Sequence, residues 1–185
     1  MAITRLGGAN AITGTIPTSV APGAGKVLQT KSYQTGATLT ATNTSFADLG
    51  SFSVSITPSS TSSLILLSAN FGSAYGGSSN NSIMFRFTRN GTAVAVGDQE
   101  GSNRPRASFR TSSVTKLING DDNHAIGLTF SAIDTPSSTS ALTYKIQNWN
   151  ENGTFYLNRN VTFDDTVANY SGVSFSSFIV QEIST

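Results

Sequence analysis

The chain has 185 residues, of which only 11% are charged, with a formal net charge of +1 and no cysteine. That balance offers no electrostatic footprint for nucleic acid or an anionic membrane, and it excludes disulfides and thiolate metal sites. Ser and Thr together supply 52 residues, with 15 Asn and 17 Gly, so hydroxyls and amides must cover the surface; strands and turns use such residues well and helices poorly.

Residues 1–25 contain few large apolar side chains, and Gly and Pro interrupt every period. They read as an extended N-terminal arm, either a disordered tail or a segment that orders against a partner. Ile3, Leu6, Ile12 and Ile16 are its candidate anchors. The opening residues hold no apolar run of signal-peptide length, and no stretch nears the ~18 apolar residues of a membrane span. A protein made in the cytoplasm and not inserted into a membrane is expected.

From Lys26 to the end, residues 26–185 read as one β domain. Val27 to Tyr33 is a first strand and Ala37 to Thr42 a short β-prone stretch. Phe52, Val54 and Ile56 alternate with serines, the pattern of a half-buried strand. Leu64 to Phe71 is more continuously apolar and so is expected at a sheet centre. A Gly/Ser/Asn loop over Gly72 to Ser82 leads into the clearest hairpin of the chain, Ile83 to Val96, turning at Asn90-Gly91. A type I′ turn needs positive φ at both central residues, which Asn and Gly tolerate best. It would pair Phe87 with Val94 and Phe85 with Val96 on one face, and Arg86 with Ala95 and Thr88 with Ala93 on the other.

Gly97 to Arg106 is a polar loop and Ala107 to Leu117 a weaker strand. Ile126, Leu128, Phe130 and Ala132 alternate again. Leu142 to Trp149 and Phe155 to Phe163 suggest a second hairpin around Asn152-Gly153. It would set Leu142 beside Phe163, Tyr144 beside Val161, Asn148 beside Leu157 and Trp149 beside Tyr156, with Arg159 at a bulge or rim. Val173, Phe175, Ile179 and Ile183 mark a closing strand.

One repeat runs through the domain: Thr57 to Leu64 reads TPSSTSSL and Thr135 to Leu142 reads TPSSTSAL. Each copy follows one alternating strand and precedes another, which suggests two equivalent strand–turn–strand units. Short strands at this spacing mean an all-β, antiparallel two-sheet sandwich, with a jelly roll as first choice and an immunoglobulin-like sandwich as second.

Few residues point to chemistry. Gly23 to Lys26 resembles the end of a phosphate-binding loop, but Val20 and Val27 stand where Gly and Ser or Thr are required. His124, the only histidine, follows Asp121-Asp122-Asn123 without metal-ligand spacing, and no nucleophile elbow exists for a triad. Asp98, Glu100, Arg104 and Arg106 read as solvated loop charges, and Asp164-Asp165 as a turn. No catalytic residue, metal ligand or cofactor is expected. Trp149 and Tyr156, aromatics among polar neighbours, can stack on sugar rings, bury against a neighbouring subunit or cover their own sheet edge.

The segments from Ser51 to Leu64 and from Phe85 to Asp98 resemble a domain of tailed-phage virion proteins, notably of marine and cyanobacterial phages. Asp134 to Gln147, Thr154 to Arg159 and Ser177 to Ile183 are similar to the same pattern, so the likeness spans about residues 45 to 185. Thr13 to Thr18 in the arm resembles linkers of phage fibre proteins. The resemblance implies a jelly-roll-like head, homotrimeric, carried on the virion by an N-terminal segment that docks onto other capsid or tail proteins. It implies no enzyme activity, and the chain departs from long tail fibres in lacking a shaft. An alternative role for the same fold is to recognise host surface glycan through its loops or through Trp149 and Tyr156.

Overall fold

In a computed structural model of the chain, residues 25–76, 82–112, 125–163 and 172–185 are described. The arm with Ile3, Leu6, Ile12 and Ile16 lies outside the described residues, as do His124, Asp121 to Asn123 and Asp164-Asp165. Every regular element among the described residues is a strand: β1 (Val27–Thr35), β2 (Leu39–Ala41), β3 (Ala47–Ile56), β4 (Leu64–Gly76), β5 (Ser82–Arg89), β6 (Thr92–Val94), β7 (Phe109–Ser112), β8 (Ile126–Asp134), β9 (Leu142–Asn150), β10 (Phe155–Leu157) and β11 (Ser176–Ile183). They form two antiparallel sheets packed as a sandwich. The all-β sandwich expected from alternation is therefore the fold.

Each sheet reduces to four strand positions. In the first, Ile65 pairs with Glu182 of β11 on one edge and with Asp134 of β8 on the other. Further along β4, Ala74 has Ile126 of β8 on one edge and Leu157 of β10 on the other. β10 thus continues the line of β11, and β2 beyond it continues β1. In the second sheet β9 lies between β3 and β5, and β6 and β7 share the far edge of β5.

The alternating residues meet between the sheets. Phe52, Val54 and Ile56 of β3, Leu128 and Phe130 of β8, and Tyr144 and Ile146 of β9 are all buried. Phe71 is the hub, with ring centroids 5.5 Å from Phe52, 5.3 Å from Phe85 and 5.6 Å from Phe130, all edge to face. Burying each such ring contributes roughly 1.5–3 kcal/mol. β4 is central, as its apolar run suggested, yet its Leu64 and Leu66 sit half-exposed on the outer side.

Both copies of the repeat cross between the sheets. The first carries the chain from β3 to β4 and the second from β8 to β9, and β3 pairs with β9 as β4 pairs with β8. Ile56 meets Leu142 and Ile65 meets Asp134, so the two turns lie at one end of the sandwich. The copies are not identical in backbone, for Ser137 takes φ 49.

Four local expectations need correction. The Asn90-Gly91 turn forms with φ of 48 and 84, and Phe87 pairs with Val94 and Thr88 with Ala93. Ala95 then turns to φ 50 and ends the strand, so Phe85 pairs with Phe109 of β7 instead of Val96. The second hairpin does not exist: β9 belongs to one sheet and β10 to the other. Both strands aim alternate apolar residues at the same core, but residues 151–154 carry the chain from one sheet to the other, so the two strands face across the core instead of pairing edge to edge. Residues 72–76, expected in a loop, extend β4. The closing strand buries Ser176, Phe178, Val180 and Glu182, leaving Val173 and Phe175 exposed; the face anticipated from Ile179 and Ile183 points outward.

Candidate functional site

Period-two alternation on β9 sends Lys145, Gln147 and Trp149 to the outer side of their sheet. Register then aligns Trp149 with Met84 of β5 and Met84 with Arg110 of β7, a row across three adjacent strands. The loop 97–106 folds back beside this row, fixed by Gly97 N–H donating to the Ala107 carbonyl at 3.1 Å and Arg106 Nε donating to the Gly97 carbonyl at 2.6 Å. The result is a cleft of about 390 Å³ with Met84 at its base, Trp149, Arg104, Pro105 and Arg110 around it, and Glu151 at the end of β9.

Trp149 is held in place. Its indole N–H donates to the Thr44 carbonyl, and its ring lies 6.3 Å from that of Phe46. The Arg86 guanidinium sits 4.1 Å over the other aromatic, Phe46, and donates through Nε to Gln147 Oε1 at 2.9 Å. Gln147 donates to Asp48, which also takes the Lys145 ammonium at 2.6 Å. These bonds from Lys145 and Gln147 lower the Asp48 pKa, and burial lowers that of Arg86.

The cations of the cleft are less engaged. Arg110 donates to Ser82 Oγ at 2.8 Å. Arg104 and the Glu151 carboxylate make no hydrogen bond or ion pair among the described residues. Tyr156 is elsewhere: it lies on the outer side of the opposite sheet, across from Tyr75, with the Arg159 guanidinium 5.0 Å over its ring. The structure does not bring Trp149 and Tyr156 together. Asp98 and Glu100 stay exposed on the loop.

Two buried carboxylates escaped the sequence reading. Asp134 accepts two bonds from Arg89, at 3.0 and 2.8 Å, and one from the Tyr144 hydroxyl at 2.7 Å. Burial and then the Asp134 bond push the Tyr144 pKa up. Glu182, with no solvent exposure, accepts from Ser59 N–H and Oγ–H, Ser63 Oγ–H and Gln29 Nε2–H at 2.6–2.7 Å. Burial raises its pKa, but the bonds from Ser59, Gln29 and Ser63 outweigh that and hold it at about 2. These groups are saturated by protein donors and lie under the repeat turns, so they serve the fold. The signal was present in the one mismatch of the repeat, Ser63 against Ala141.

No family model and no curated protein matches this chain. The assignment of a role therefore rests on the geometry of the cleft, the surface and the sequence itself.

Proposed function

We propose that the chain is a non-enzymatic structural protein of a tailed-phage particle, a small trimeric fibre, spike or decoration protein anchored by its N-terminal arm and localised to the virion. Its sandwich is a jelly roll. Support for that comes from the order of the eight strand positions, numbered along the chain: one, eight, three, six in one sheet and two, seven, four, five in the other, the arrangement of two Greek keys.

The observation that carries the assembly reading is an apolar strip on the outer side of the first sheet. Ile133, 54% exposed, pairs with Leu66, and Leu64 pairs with Ile183, which pairs with the exposed Val27. Gly25, where the arm joins the domain, is bonded to Ser184 at that same end. Apolar groups gathered on one sheet face suit a contact between subunits, and a surface otherwise made of hydroxyls suits close polar packing in a repetitive particle. The test is removal of residues 1–24. The truncated protein folds with an unchanged melting profile and fails to join particles; truncated protein recovered on virions in normal amount contradicts the anchoring role.

A second reading, a module that recognises host surface saccharide, is favoured by the Trp149 cleft. An aromatic wall over an apolar base, flanked by charged groups free to bond, is the general make-up of a sugar site.

A further inference from the structure

Resting on that saccharide reading, we propose that the Trp149 cleft selects acidic saccharides, sugars carrying a carboxylate or sulfate beside free ring hydroxyls. Three independent features lead there. The first is the pair of guanidiniums. Arg104 and Arg110 reach the cleft from the loop 97–106 and from β7, and neither is neutralised by an acidic side chain among the described residues. Arg110 spends one donor on Ser82 and Arg104 makes no bond among the described residues, whereas Arg89 is ion-paired with Asp134 and the guanidiniums of Arg86 and Arg159 lie over aromatic rings. In a chain with so few charges, two unneutralised guanidiniums at one cleft are a concentrated cationic site. Their planar donor forks match the two oxygens of a carboxylate or the oxygens of a sulfate.

The second feature is Glu151. It borders the same cleft and pairs with neither arginine. A carboxylate accepts but does not donate, so it suits the hydroxyls of a sugar and opposes a bare anion. The third is Trp149, whose N–H is already taken by Thr44 and whose ring is braced by Phe46. What it offers the cleft is an apolar surface, which complements the C–H side of a pyranose and contributes nothing to an inorganic ion. Anion, hydroxyls and apolar face together describe an acidic sugar. Strand register fixes Trp149, Met84 and Arg110, and the bonds at Gly97 and Arg106 tie the loop that carries Arg104, so much of the site is preformed.

The test is calorimetric titration of the full chain with matched oligosaccharides that differ only in a sialic or uronic carboxylate or a sulfate, together with their neutral parents and inorganic sulfate. Acidic members bind about tenfold or more tighter than neutral parents, and added salt narrows the gap. Arg104→Ala and Arg110→Ala each remove most of the preference, Trp149→Ala removes binding of both kinds, and Lys31→Ala, on the other sheet, changes neither. All four variants fold, since each residue is at least partly exposed, and Trp149→Ala, which gives up the Thr44 bond and the Phe46 contact, melts lower but cooperatively. Equal binding of acidic and neutral sugars, lost on Trp149→Ala, overturns the acidic preference and leaves the saccharide reading standing. Binding of no sugar, or of inorganic sulfate as tightly as of a sulfated sugar and without effect of Trp149→Ala, overturns both.

Discussion

Glu182 sits near the end of the last strand with no exposed surface, yet four donors from Ser59, Ser63 and Gln29 hold it ionised. Charged hydrogen bonds of this kind each contribute about 1.5–3 kcal/mol, and a buried carboxylate without them would be driven to its neutral form. The bonds fasten the C-terminal strand to the first repeat turn. Because the folded pKa, about 2, lies below the ordinary 4.5, ionised Glu182 stabilises the fold fully above pH 4.5 and progressively less as pH falls toward 2. Thermal melts between pH 7 and 2 should show that decline. Glu182→Gln should lower stability at pH 7 by about 2–3 kcal/mol and flatten the acid limb, since the amide does not titrate. An acid limb unchanged in the variant would show that other carboxylates produce it. The Asp134, Arg89 and Tyr144 group does for β5, β8 and β9 what Glu182 does for β11.

Among the elements, β4 is irregular where its neighbour changes from β11 to β10. Its ladder with β8 slips between Phe71 and Ala74, and the bulge brings Gly72 against the chain entering β11. A Cβ at Gly72 would stand 2.3 Å from the Phe175 carbonyl oxygen, which is backbone and cannot turn aside. Gly72→Ala should therefore cost at least about 1–3 kcal/mol by chemical denaturation, with an unchanged fold. A neutral result would mean that residues 174–175 move freely from β4. Asn158, at φ 60 and fully buried, secures the same junction by donating to the Thr35 and Ala37 carbonyls and accepting from Ser174 and Ser176. Alternation made β3, β8, β9 and the Asn90-Gly91 turn legible, because half-buried strands write their inner face into the sequence. The β9–β10 crossing was not legible. Apolar alternation on two adjacent strands looks the same whether they pair in one sheet or face each other across the core. The inner face of β11 was hidden because its members Ser176 and Glu182 are polar, and only a distant partner, the repeat turn, makes their burial tolerable. Trp149 could be marked as notable from its neighbours, but Arg104 and Arg110 reach it through loop closure and register with β7, contacts far apart in the chain.

At the scale of the molecule, the two repeat turns, related as β3–β4 and β8–β9, close one end of the sandwich. The same end carries the apolar strip of Leu64, Leu66, Ile133 and Ile183 and the junction with the N-terminal arm at Gly25. On the proposed virion role, the arm junction at Gly25 and the subunit contact share one region, while the Trp149 cleft lies on the outer side of the other sheet and stays open to a ligand. That division of surfaces depends on the chain forming a trimer, which light scattering of the purified full chain decides. A trimer gives a mass three times the 19.3 kDa of one chain, reverting toward a single chain in Leu66→Glu with Ile133→Glu. A wild-type mass of one chain at high protein concentration would contradict it.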